Sequence, residues 1–171
     1  MSDFLNVIER RNSVRKYQDK DLSDEQIRTL VEAGLRAPTA ANKQEIHFTV
    51  VKKDNAAQAE LANDHKPGAA VPFYFNAPVV IYLSADESFS WSGVDAGIAV
   101  ENIHLAAEAM GLGSVILGCV RDILNGEKKA YYAEKFAFPD GYKFEVAIAV
   151  GYAEAVKEQH TFEYDRDVSI V

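Results

Sequence analysis

The chain has 171 residues, 48% of them hydrophobic, and a formal net charge of −8. Such a length and apolar content fit one domain, residues 1–171, able to bury roughly two-thirds of the surface its unfolded form exposes. The acidic balance argues against a nucleic-acid or anionic-membrane partner, the single cysteine excludes an internal disulfide, and no stretch approaches the ~20 apolar residues of a membrane span, so a soluble cytoplasmic protein is expected.

The first predicted helix carries Phe4, Leu5 and Ile8 on one side and ends near Arg11. It runs into a basic cluster, Arg10-Arg11-Asn12-Ser13-Val14-Arg15-Lys16, in a chain that is otherwise acidic. Cations so close repel one another unless a counter-charge sits among them, and Asn12 and Ser13 add hydrogen-bonding groups suited to phosphate oxygens. A small-molecule phosphate is one reading. A solvated helix end complementing the C-terminal dipole is the other. Ser23 with Gln26 forms a capping box, and Ile27, Leu30, Val31, Gly34 and Leu35 follow the spacing of a buried helix face that Pro38 terminates.

Ile46 to Val51 and Val79 to Leu83 are short β-branched runs, expected as strands covered on both faces, with a loop-like stretch over 64–76 between them. The segment 95–110 is apolar almost all round, its polar residues confined to two seams, Glu101/His104/Glu108 and Asp95/Asn102. That predicts a central helix with more apolar surface than one small domain covers, hence a face for a second subunit. Gly111 and Gly113 then turn the chain into a strand over 114–117 ending at Gly118, where a ligand could approach the backbone. A helix through about Lys135 follows. Phe144, Val146, Ile148 and Val150 next alternate with Glu145 and two alanines as another strand, which makes about four. Phe162, Tyr164, Val168 and Ile170 keep one parity, as in an extended arm lying over another surface.

No metal-ligand spacing links the four histidines, and neither a nucleophile elbow nor a phosphate-cradling Gly-x-x-x-x-Gly-Lys occurs. Cys119 reads as a small buried hydrophobe. Without an acid–base or nucleophilic constellation, the chemistry is expected to reside in a bound cofactor.

Arg11-Asn12-Ser13-Val14-Arg15-Lys16-Tyr17, Ala37-Pro38-Thr39-Ala40-Ala41-Asn42-Lys43-Gln44, Ala77-Pro78-Val79-Val80, Asp95-Ala96-Gly97-Ile98-Ala99 with Asn102, and Gly111-Leu112-Gly113-Ser114 together resemble, in order, the nitroreductase family of FMN-dependent NAD(P)H oxidoreductases. The resemblance spans nearly the whole chain. It implies an α+β fold with a central, mainly antiparallel sheet of about four to five strands flanked by helices, in a homodimer that exchanges C-terminal arms and holds two FMN sites at its interface. It also implies hydride transfer from NADH or NADPH to nitroaromatic, quinone or similar activated acceptors by a ping-pong mechanism, the flavin rather than a side chain being the catalyst. A flavin-binding carrier or sensor, or a flavin reductase for enal reduction or dehalogenation, stays open beside it. On the matching positions, Arg11, Ser13 and Arg15, with Asn12 beside them, would contact the phosphate and pyrimidine edge. Pro38, Thr39, Ala40 and Asn42 would pack on the flavin from the partner chain, Leu117 and Gly118 would offer backbone to its N5 edge, and Arg166 would reach the phosphate from the arm. The chain departs from the family where Glu45-Ile46 replaces the common Pro-Trp pair.

Overall fold

The computed structural model describes residues 3–155, 158 and 161–171. Its centre is an α+β arrangement of four antiparallel strands, β1 (Ile46–Lys52), β2 (Val79–Asp86), β3 (Gly113–Leu117) and β4 (Tyr142–Gly151), ordered β1-β2-β4-β3. The sheet has the lower strand number expected. Helix α2 (Asp24–Leu35) starts with the predicted reciprocal capping box of Ser23 and Gln26, and it packs with α4 (Ser92–Ala109) on one sheet face around Leu30, Ile81, Leu83, Ile103 and Ile148. The opposite face is aromatic. There Tyr82, Phe144, Tyr132 and Phe136 meet Leu61 of α3 (Ala56–His65) and Leu124, below α5 (Arg121–Leu124) and α6 (Lys129–Lys135).

Several expectations change in three dimensions. β2 is covered on both faces, but β1 is an edge strand in which only Val51 is buried. The even parity of β4 breaks at a register shift: Leu83 pairs with Val146 and Ser84 with Phe144, leaving Glu145 as the extra residue. One inserted residue reverses the sides on which the following residues point, so Phe144 joins the aromatic face while Ile148 and Val150 join the other. The single helix expected through Lys135 is two, α5 and α6, separated by a turn in which a Cβ on Gly126 would fall 2.3 Å from the Asp122 carbonyl oxygen. The apolar residues of α3 are alanines apart from Leu61 and mark no face by period, and only Gln58 and Leu61 are buried. The arm is not wholly extended either, because α7 (Tyr164–Asp167) forms a helical turn in it.

Helix α1 (Asp3–Arg10) turns its apolar stripe outward: Phe4 is 61% exposed and Ile8 45%. Val94 and Ile98 of α4 and Phe162, Tyr164, Val168 and Ile170 of the arm are exposed as well. No helix among the described residues is long and apolar enough to cross a membrane.

Candidate active site

The basic segment leaves α1 and runs along the sheet edge. Ser13 bridges Ser114 in parallel, Val14 N–H donates to the Ser114 carbonyl at 2.9 Å, and Tyr17 bridges Ala153. Gly113 makes this approach possible, since a Cβ there would lie 2.7 to 2.9 Å from Val14 side-chain atoms. The counter-charge missing from the local sequence comes partly from α4. Arg10 Nε meets Glu108 Oε1 at 3.2 Å, Arg11 Nε lies 3.9 Å from Glu101 Oε1, and Lys16 pairs with Glu154 at 2.7 Å. Arg11 Nη1 also donates to His104 Nε2 at 3.0 Å. Burial, with Arg11 beside it, lowers the His104 pKa to about 4, so the ring is neutral and able to accept. Arg15 is different: among the described residues no carboxylate pairs with it, and its Nη1 makes one long bond of 3.4 Å to the Ser13 carbonyl. Asn12 donates to the Arg10 carbonyl while its Oδ1 is buried without a partner. This edge can therefore offer a guanidinium fork to an anion, with a second, half-buried guanidinium fixed nearby.

The loop before β1 hangs from the other end of α4. Ala40 N–H donates to Asp95 Oδ2 at 2.9 Å, and Thr39 Oγ1 accepts the Gln44 N–H at 2.9 Å. Inside it Ala41, Asn42 and Gln44 have φ of 53°, 54° and 53°, the left-handed region that non-glycine residues enter only when held there. A cavity of about 280 Å³ opens beside it, lined by Thr39, Asn42, Gln44, Phe48 and Ala99. Asp95 and His104 are nine residues apart, so along α4 the two halves stand roughly 14 Å from each other.

At the end of β3 the Leu117 side chain is buried in the aromatic core, and Gly118 is exposed with open space where a Cβ would be. Cys119 is exposed in the turn that follows rather than buried, which corrects the sequence expectation, and partial burial of its thiol raises the pKa. Arg166 pairs with Asp167 at 2.7 Å and Glu163 at 3.6 Å within its own turn. Arg11, Asn12, Ser13 and Arg15 are thus brought together, Pro38, Thr39, Ala40 and Asn42 form a second group, and Leu117 with Gly118 sits at the far end of β3. Sequence reasoning missed His104 as a partner of Arg11, although its seam with Glu101 and Glu108 carried the signal. It also missed the burial of Glu45, visible only as a departure from the family pattern.

A family model described as Nitroreductase family matches residues 8–152. The chain belongs to the nitroreductase family. It is 33% identical over 172 aligned residues, 96% of this chain and 85% of the other, to a provisionally named NADH dehydrogenase/NAD(P)H nitroreductase from Methanothermobacter thermautotrophicus. Similar to this family member in structure is an FMN-dependent nitroreductase from Clostridium difficile R20291, 30% identical, with a TM-score of 0.88 over 99% of both chains. A nitroreductase with bound FMN from Bacteroides fragilis shares the fold at 24% identity, with a TM-score of 0.91 over 100% of both chains.

Proposed function

We propose that this nitroreductase-family chain is a cytoplasmic, homodimeric FMN-dependent oxidoreductase, one cofactor-binding domain over residues 1–171, that takes reducing equivalents from NADH or NADPH. The observation that carries this reading is the edge at Arg11–Arg15, where Val14 is pinned to Ser114, Arg11 is pinned to His104, and Arg15 has no carboxylate partner among the described residues. That donor set fits a single phosphate with a polar ring edge beside it. No dinucleotide fingerprint accompanies it in the sequence, which favours FMN over FAD.

The chemistry supplied by bound FMN is hydride acceptance from the nicotinamide and electron delivery to a nitroaromatic, quinone or similar activated acceptor, in ping-pong order at one open face. The chain holds and tunes. Arg11, Ser13 and Arg15, with Asn12 beside them, hold the phosphate and pyrimidine edge, and the fixed Arg11 cation favours negative charge there. Leu117 and Gly118 offer backbone at the N5 edge, and the open space at Gly118 suits close approach. Pro38, Thr39, Ala40 and Asn42 pack against the flavin from the partner subunit, and Arg166 reaches the phosphate from the arm. Homodimerisation is supported by the outward apolar stripe of α1 together with exposed Val94, Ile98, Phe162 and Ile170, more apolar surface than a lone small domain leaves in water.

Denaturing the purified protein and identifying the released chromophore by mass tests the cofactor; FMN at one per chain is expected. Colourless protein that takes up no added FMN would remove the proposal. Initial rates with reduced nicotinamide and a quinone should give parallel lines as both are varied, whereas binding without turnover would indicate a carrier or sensor.

A further inference from the structure

Glu45 and Asp95 are two buried carboxyls with too few donors between them. Glu45 ends the strained loop immediately before β1 and is 7% exposed; Asp95, in the first turn of α4, is 2% exposed. Asp95 Oδ2 takes the Ala40 N–H, but both Glu45 oxygens are buried without a well-formed hydrogen bond, only the residue's own backbone N–H acting on them. Asp95 acts on the Glu45 carboxyl both as a hydrogen-bonding neighbour and as a like charge. Ionised carboxylates only accept, so two of them cannot bond, and desolvation leaves no water to separate their charges. A proton on one makes it a donor to the other.

The charged groups acting on Glu45 are Asp95 from α4 and Lys43 from the loop itself. Lys43 is partly diverted, with its Nζ 4.3 Å above the centre of the Phe89 ring.

We propose that Glu45 and Asp95 share one proton, and that this bond holds the 38–45 loop against the first turn of α4, making Glu45 a positioning residue for the surface that Pro38, Thr39, Ala40 and Asn42 present to the flavin. The flavin clause rests on the function proposed above; the shared proton does not. Three left-handed non-glycine residues in one short loop require a hold at both ends. The Ala40 N–H supplies one end and the carboxyl pair the other. Burial, with Asp95 beside it, pushes the Glu45 carboxyl above its usual range. The bond is therefore intact below the ordinary carboxyl range and is lost as pH rises through the elevated value, when the proton leaves to solvent and two anions face each other.

The test uses the flavin-loaded protein labelled with ¹³C at Asp and Glu carboxyls. Carbon NMR should find a carboxyl that titrates above the ordinary glutamic acid range, and Glu45→Gln, which keeps an N–H to donate but cannot ionise, should abolish it. Above that midpoint the FMN dissociation constant of the wild type should rise by at most about tenfold per pH unit, and in Glu45→Gln the rise should be absent. Burial raises the Glu101 carboxyl too, so Glu101→Gln is titrated alongside: an elevated midpoint should remain in Glu101→Gln, and its absence there, or the same set of elevated midpoints in Glu45→Gln as in the wild type, would overturn the pair, the Glu101→Gln titration deciding the matter even if Glu45→Gln fails to fold. A protein that takes up no FMN overturns the function proposed above instead. The hold on the loop is then read from thermal stability: wild-type Tm must fall relative to Glu45→Gln as pH rises, and a flat difference would overturn it.

Discussion

Arg11 donates from Nη1 to Nε2 of His104 across 3.0 Å, joining the first residue after α1 to the buried face of α4. A guanidinium can only donate, so Nε2 is the acceptor and the ring hydrogen sits on Nδ1, which has no partner. This neutral histidine orients a cation without cancelling its charge. Glu101, 3.9 Å away and half-exposed, screens that charge only weakly.

Arg11→Ala and Arg15→Ala should separate two roles at the basic edge. Each variant should weaken FMN binding by about 1.5–3 kcal/mol, the scale of a charge-assisted hydrogen bond. Only Arg11→Ala strands the His104 acceptor, so it alone should also lower global stability by about 1–3 kcal/mol. Flavin titration and urea unfolding of both variants check this; unchanged affinity in both would return the cluster to a solvated helix end.

His104 sets an acid limit on stability. Its pKa is lowered to about 4 in the fold by burial and the Arg11 charge, against an ordinary 6.5. Between those values the unfolded chain binds a proton that the folded chain refuses, so stability is fully present above the ordinary value and falls as pH drops toward the lowered one. The loss should reach a few kcal/mol. Thermal unfolding of wild type and His104→Gln over this window should show a steeper acid slope for the wild type.

Gly113→Ala should lift the basic segment off β3. The added methyl would fall 2.7 to 2.9 Å from Val14, and no flexible end of a long side chain is there to yield. A destabilisation of about 1–3 kcal/mol, the usual range for overpacking, should come with weaker FMN retention. Chemical denaturation and flavin titration measure the two effects; wild-type values for both would show that the segment is not seated by this contact.

Ile98→Asp should weaken the dimer. Ile98 is 38% exposed on α4, in line with Val94, and a charge there meets a desolvation penalty only if a second subunit covers it. Dimer dissociation should increase at least about tenfold, an effect of only ~1.4 kcal/mol, with FMN occupancy falling alongside it. Sedimentation across concentrations would settle this, and an unchanged association state would move the interface elsewhere.

Cys119→Ser should retain turnover within about twofold. Partial burial raises the thiol pKa, which lowers the thiolate fraction and with it the nucleophilicity of this side chain. Steady-state oxidation of reduced nicotinamide with a quinone acceptor measures this, and abolished turnover with FMN still bound would assign the thiol a role in the chemistry.

Much of this architecture is local and was legible in the amino-acid order. The Ser23/Gln26 capping box, the α2 stripe, the β-branched runs of β1 and β2 and the all-apolar α4 follow from periodicity and side-chain chemistry over neighbouring residues. The basic segment and the glycine turn after α4 were equally visible as candidates for a site. Tertiary structure decided what no short window holds. The extra residue Glu145 reverses the sidedness of β4 because strand register is a property of two strands, not one. Arg11 finds His104 93 residues away, and Ala40 finds Asp95 55 residues away. In the sequence Glu45 stands out only as a departure from the family's Pro-Trp pair, and it is the fold, by burying it beside Asp95 of α4 and removing water from two carboxyls at once, that gives it a reason to keep a proton.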